Sequence, residues 1–432
     1  MKLPKSRKVE LAPNATGGER SHAETAESAE FKMTELGPIP VDWEVKRLGE
    51  TCSITTGRKD VNEGCEFGQY PFFTCSKEAY RANTYSFDGE ALLIAGNGDV
   101  GNMHYCNGKF EAYQRTYVLM NFTKSVDFIR QYLSAFLMQR LSKDKVGSSM
   151  PYIVLGQLAG YSIPFPPLAE QRRIAGALSD VDELISALGK LIEKKRNIKT
   201  GAMQELLGMR NAECGMRNVP RRRLSGFSGE WVEKRLGDCG LCFNGITGKA
   251  GSDFGHGEAH YITFLNVLSN VVIDTEMLDA VDIKCGENQN EVKRGDLFFN
   301  TSSETAEEVG FCAVLDEEVT SVYLNSFCFG FRLTDDNVSG KFLAYWFRAT
   351  GGRALMTFLA QGSTRYNLSK DAFREACISI PPTLAEQQAI AAVLSDMDAE
   401  IAALEADQAK YERIKSGMMQ ELLTGKTRLK GE

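Results

Sequence analysis

The stretch from Pro166 to Leu207, PPLAEQRRIAGALSDVDELISALGKLIEKKRNIKTGAMQELL, occurs again from Pro381 to Leu423 as PPTLAEQQAIAAVLSDMDAEIAALEADQAKYERIKSGMMQELL. After a single insertion at Thr383 the copies run in constant register, Leu168 onto Leu384 and Leu207 onto Leu423, and more than half of the paired positions are identical. A repeat of this length fixes the architecture before any other feature does.

Both copies carry a heptad pattern. Ile174, Leu178, Val181, Ile185, Leu188 and Ile192 alternate steps of four and three; Ile390, Leu394, Met397, Ile401 and Leu404 repeat it before the polar Gln408 and then Tyr411. That spacing draws one narrow apolar stripe along a helix and calls for a partner helix, so these eleven side chains are the expected helix–helix seam. Forty helical residues make a rod of about 60 Å. Thr383 followed by Glu386 reads as a capping box, and Gly208 and Gly425 stand where C-terminal caps belong. Gly201 and Gly417 fall at equivalent interior positions, which suggests a close helix approach, with a tolerated defect as the alternative.

The flanks repeat as well. Trp43 with Lys46-Arg47-Leu48-Gly49-Glu50 is echoed by Trp231 with Lys234-Arg235-Leu236-Gly237-Asp238. The repeating unit is therefore a variable globular region followed by a long helix. The expected divisions are a polar arm over 1–33, a first globular region over 34–165, a helix over 166–208, a basic linker over 209–225, a second globular region over 226–380, and a helix with its tail over 381–432. The linker holds Arg210, Arg217 and Arg221-Arg222-Arg223; a solvated connector is preferred there over a phosphate contact.

Both globular regions read as strand-rich and mixed, making the whole an α+β chain. Ala91–Ala95, Tyr261–Leu265, Asp296–Phe299 and Phe327–Phe331 predict strands, and Asp127–Leu141 and Lys341–Thr350 predict helices. Asn107-Gly108 predicts a two-residue hairpin turn. Gly362–Leu368 has a weaker counterpart in Gly147–Met150, before the other Pro-Pro.

With 432 residues and 43% hydrophobic content, the chain is long enough for two or three ordinary globular domains. No apolar run approaches a membrane span, and the polar start is unlike a signal peptide. Eleven cysteines without a disulfide framework fit the reduced thiols of a cytoplasmic protein. The net charge of -7 argues against a solitary DNA-binding domain.

Three patterns imitate chemistry. Gly96-Asn97-Gly98-Asp99-Val100-Gly101 has dinucleotide-loop spacing, but hairpin material follows it where a helix should begin. Cys239, Cys242, His256 and His260 have zinc-site spacing, yet glycines around His256 disfavour the helix that a small finger needs. Asp282, Glu291 and Lys293 could be set out like a nuclease, on residues too common to weigh. No catalytic motif stands out.

Pro-Pro-Leu-x-Glu-Gln at a helix start, Met-Gln-Glu-Leu-Leu near its end, and Leu-Thr-Gly-Lys-Thr-Arg-Leu after the second copy resemble the repeated regions of type I restriction–modification specificity subunits. Thr34–Trp43 and Phe227–Trp231 resemble the segments leading into the two target-recognition domains of that family. Gly208-Met209-Arg210 departs from the pattern, standing where Leu-Thr-Gly-Lys would be.

The resemblance implies two unlike target-recognition domains separated by two long helices in an antiparallel coiled coil with an internal pseudo-twofold repeat. It implies that each domain reads one half of a bipartite site in double-stranded DNA. The helices would dock two methyltransferase subunits, which restriction subunits join. S-adenosylmethionine, ATP and magnesium would then reside on those partners, with no cofactor or catalysis in this chain and no membrane partner. Candidate DNA contacts are Arg58, Lys59, Lys77 and Arg81 in the first domain, and Lys249, Ser302, Ser303, Ser363, Thr364 and Arg365 in the second, chosen as forked donors or hydroxyls on loops. The rival readings are a scaffold presenting two binding modules without DNA, and a zinc-dependent nuclease around Cys239 and His256.

Overall fold

A computed structural model describes residues 30–141, 152–208 and 220–430. The chain divides into two compact units, one of residues 1–182 with 413–432, the other of residues 183–412. Each unit therefore holds one globular region, part of one long helix and part of the other.

The first unit opens on a hairpin, Phe31–Thr34 against Gly37–Pro40, so ordered structure begins inside the stretch expected to be an arm. Glu44–Arg47 pairs antiparallel with Ser162–Phe165, closing the ends of the globular region on each other. Between them lies a six-stranded sheet in the order Ser53–Thr56, Thr116–Met120, Phe87–Ala95, Met103–Ala112, Tyr70–Phe73, Tyr80–Ala82. Successive side chains of Phe87–Ala95 face opposite ways. Leu92 and Ile94 join the core beneath the helix Val126–Leu141, while Ala91 and Leu93 pack with Phe73, Phe110 and Val118 on the other face.

Asn107-Gly108 makes no turn. It lies in the middle of Met103–Ala112, where Gly108 pairs with Gly89, and the ladder runs unbroken from Phe87–Phe110 to Ile94–Met103. A long cross-strand register overrides the local turn preference. The chain reverses instead at Gly96–Asn102, where Gly98 and Gly101 take positive φ of 63° and 83°. The G-x-G-x-x-G spacing is therefore the glycine chemistry of a hairpin.

The second unit carries a four-stranded sheet in the order Gly240–Asn244, Cys328–Leu333, Leu297–Asn300, Cys312–Val314. A three-stranded sheet, Leu278–Val281, Phe254–Ile262, Val322–Leu324, packs beside it, and Ser302–Ser303, Tyr366–Leu368 and Ala360–Gln361 form a small third sheet. Phe264 and Leu265, expected to extend a strand, begin the helix Phe264–Ser269 because the Thr263 hydroxyl accepts from the Asn266 N–H at 3.2 Å. The expected helix over 341–350 is Gly340–Arg348, and a second helix, Thr350–Leu359, follows it directly. Phe299, Phe329, Phe331, Phe342, Phe347 and Phe373 dominate the core under them.

The long helices, Leu168–Leu207 and Leu384–Leu422, pack together in opposed directions. In the second unit Leu206 and Leu207, ending the first helix, share a core with Ile390 and Leu394, starting the second. In the first unit Ile174 and Leu178 share a core with Leu422 and Leu423. These same clusters hold Trp231 and Trp43, so the outer rungs of the apolar stripe face globular residues as well as the other helix. Ile192 and Ile401 are buried further along; Val181, Ile185, Leu188, Met397 and Leu404 are half-buried.

One ion pair occurs in each unit at equivalent positions: Asp182 with Lys415, and Asp398 with Lys199. Gln131 Nε2 donates to Asp182 at 2.9 Å, and the Tyr345 hydroxyl donates to Asp398 at 2.8 Å, tying each globular helix to the helix pair. The expected close approach at Gly201 and Gly417 is absent, since a Cβ at either would find nothing within 4 Å.

The repeated Glu-Gln serves the same purpose twice. Gln171 accepts from the Ser125 N–H at 3.1 Å and Gln387 from the Ser339 N–H at 2.9 Å, each bonding back to its own proline carbonyl. Buried Glu170 accepts from Arg428 Nε and Nη2 at 2.8 and 2.7 Å, and buried Glu386 accepts from Arg223 Nη2 at 2.6 Å. The Arg222 N–H donates to Glu205 O and the Thr427 N–H to the equivalent Glu421 O. Arg222-Arg223-Leu224 is thus the counterpart of Thr427-Arg428-Leu429: the string that breaks off at Gly208 resumes there. Arg223, read as part of a solvated connector, is instead a packed structural cation, its side chain 17% exposed.

Candidate nucleic-acid interface

In the first unit the strand Ser53–Thr56 ends at Gly57, which must be glycine because a Cβ would stand 2.0 Å from Ala112 O. The chain then passes through Arg58 and Lys59 beside a turn at Tyr113–Arg115, with the Lys59 N–H on Ala112 O and the Gln114 N–H on Lys59 O. Cys75 Sγ meets Asn97 Oδ1 at 2.9 Å and Arg115 O at 3.5 Å, bringing the loop that carries Lys77 to the same turn. Arg58, Lys77, Gln114 and Arg115 are exposed there. Lys59 is already paired with Glu63 at 2.6 Å. Arg81 stands apart on the outer edge strand of the sheet, Tyr80–Ala82.

The second unit builds the same frame. Gly245 follows the strand Gly240–Asn244, and its Cβ would lie 2.0 Å from Asn325 O. Thr301 N donates to Phe327 O as Gly96 N donates to Arg115 O, and Leu368 N donates to Thr301 O as Ile153 N donates to Gly96 O. These bonds equate the Arg115 turn with the Phe327 turn, and Gly96 with Thr301. They place Ser302 and Ser303 beside Tyr366–Leu368, where Arg365 Nη2 reaches the Ser302 hydroxyl at 3.3 Å. Ser363, Thr364 and Arg365 are exposed on the adjoining loop. The first unit's Gly147–Met150 lies outside the described residues.

A cavity of about 380 Å³ adjoins this edge, lined among others by Thr247, Lys249, Thr301, Ser326 and Lys370. Lys249 is held in it by Glu287 at 2.6 Å, with its side chain only 5% exposed; that hydrogen bond lowers the Glu287 pKa. Ser303 donates to Glu308 at 2.7 Å. Lys249, Lys59 and Ser303 thus already have protein partners, whereas Arg58, Lys77, Arg81, Ser363 and Thr364 are exposed without a side-chain bond among the described residues. Sequence reasoning missed Gln114, Arg115, Phe327 and Lys370. Their neighbours are remote in sequence: the matched turns reveal Gln114, Arg115 and Phe327, and the cavity lining reveals Lys370.

The zinc-like set does not assemble. Cys239 is buried with its thiol on Arg235 O at 3.4 Å, and burial raises the pKa of Cys239 and Cys242, holding both as thiols. His256 and His260 lie on the strand Phe254–Ile262. No group of three metal-ligating side chains forms among the described residues. Among them every cysteine is a free thiol, and no helix is long and apolar enough to cross a membrane.

The arrangement is that of a two-module protein: one backbone frame built twice on a duplicated helix pair, presenting different side chains each time. Comparison with known proteins names the class. The family described as "Type I restriction modification DNA specificity domain" matches residues 40–197 and 229–415, and the chain belongs to that family of type I specificity subunits. The EcoDI specificity subunit of Escherichia coli is 39% identical over 142 residues, 33% of this chain and 32% of that one. The MjaVIII specificity subunit of Methanocaldococcus jannaschii is 25% identical over 431 residues, 91% of this chain and 94% of that one. The S subunit of a type I system from M. genitalium shares the fold, with a TM-score of 0.59 at 14% identity over 88% of this chain and 96% of that one.

Proposed function

We propose that this specificity subunit reads a bipartite site in double-stranded DNA, one half by each globular region. The long helices dock two methyltransferase subunits, with restriction subunits joining the assembly. The observation that carries this reading is the doubled frame with unlike loops: a protein that needed one specificity twice would repeat its loops along with its helices. Helices of about 60 Å are long enough to hold two reading heads one turn of DNA apart, about 34–36 Å. S-adenosylmethionine, ATP and magnesium belong to the partner subunits. So does much of the phosphate contact, since a chain of net charge -7 cannot supply it alone.

Among the proposed DNA contacts, Arg365 has the best setting: exposed, on a loop, and with its side chain bonded only to the Ser302 hydroxyl among the described residues. Arg365→Ala is expected to weaken binding of the assembled complex about tenfold or more and to relax preference at a single position, as loss of a forked base contact does. Unchanged affinity and unchanged preference, measured by titrating duplexes with each position varied, would remove Arg365 from the interface.

A further inference from the structure

The matched turns present opposite chemistry, Arg115 in the first unit and Phe327 in the second. Phe327 is 60% exposed. Its backbone is nonetheless fixed: its carbonyl accepts from both the N–H and the hydroxyl of Thr301 at 3.0 and 2.8 Å, and its own N–H donates to Asn325 Oδ1 at 2.9 Å. A large apolar ring is thus held out into water by a rigid turn, next to the residues that carry Ser302 and Arg365. Folding gains little from such a ring, because only burial of its apolar surface would stabilise the fold.

We infer that Phe327 is a specificity-determining residue that reads the C5-methyl group of a thymine in the half-site of the second domain, an inference that rests on the DNA-reading function proposed above. A phenyl ring cannot hydrogen-bond to a base edge. The C5-methyl is the one apolar feature that the major groove offers, and it lies in the same groove whose purine edges suit a forked donor such as Arg365. The equivalent Arg115 carries that forked donor itself, so the two turns read unlike bases from the same position in the frame.

The test uses the full complex with its methyltransferase subunits and duplexes carrying the motif found by methylome sequencing. Thymines are replaced one at a time by uracil, which removes only the methyl group. At one thymine the wild type should bind the uracil duplex about fourfold more weakly, the value of one buried methyl. Phe327→Ala should bind the thymine duplex correspondingly more weakly and lose that difference, while Phe327→Leu should keep part of it. A wild type indifferent to every uracil, or a Phe327→Ala protein that retains the full difference, overturns the inference while leaving bipartite reading intact. A complex that methylates no bipartite motif overturns both.

Discussion

Arg428 shows how much of this chain's charge is structural. Its guanidinium holds the buried carboxylate of Glu170 and also Asp42, and it lies over the Trp43 ring. Arg428→Ala leaves Glu170 buried without its cation and is expected to cost about 3–5 kcal/mol, readable as a lower urea midpoint. A change below about 1 kcal/mol would show that water reaches Glu170 freely. The hydrogen bond from Arg428 also lowers the Asp42 pKa. A depressed folded-state pKa contributes stability that is fully present above the unfolded value, about 4, and is lost as pH falls through the folded one. Asp42→Asn should therefore be less stable than wild type at neutral pH, with the difference closing in acid. Single residues were the least legible scale: nothing in Arg221-Arg222-Arg223 distinguishes the arginine that locks Glu386, because the lock depends on a register that the extra residues after Gly208 conceal.

At the scale of elements, the long helices were legible because forty residues of sustained heptad spacing exceed any local ambiguity. The helix Val126–Leu141 and the strands Phe87–Ala95 and Leu297–Asn300 were legible for similar reasons of period and apolar run. Asn107-Gly108 misled because turn preference is local, whereas its strand is fixed by pairing with Phe87–Ile94. Gly201 and Gly417 misled in the other direction, since small residues in a helix suggest contact but here face open space. Gly201→Ala and Gly417→Ala are expected to stabilise the protein by up to about 1 kcal/mol each in thermal unfolding, the difference in helix propensity. Destabilisation by either would reveal a tight contact at that face.

For the whole molecule, the duplication was the readable fact, and it carried fold class and family together. The candidate loops holding Arg58, Lys77 and Arg365 were also readable as exposed polar segments. The turns at Arg115 and Phe327 were not, because their equivalence resides in backbone bonds between segments more than a dozen residues apart. Many cations of this chain are paired internally, as with Lys249 and Glu287, Arg223 and Glu386, and Arg332 and Asp296, which leaves fewer of them free to meet phosphate. Under the proposed function, DNA would be gripped together with a partner subunit. The most direct measurement is methylome sequencing of cells carrying the methyltransferase partner with and without this chain. Loss of one bipartite methylated motif on removing the chain is the expected result; an active system whose methylation pattern stays unchanged would contradict it.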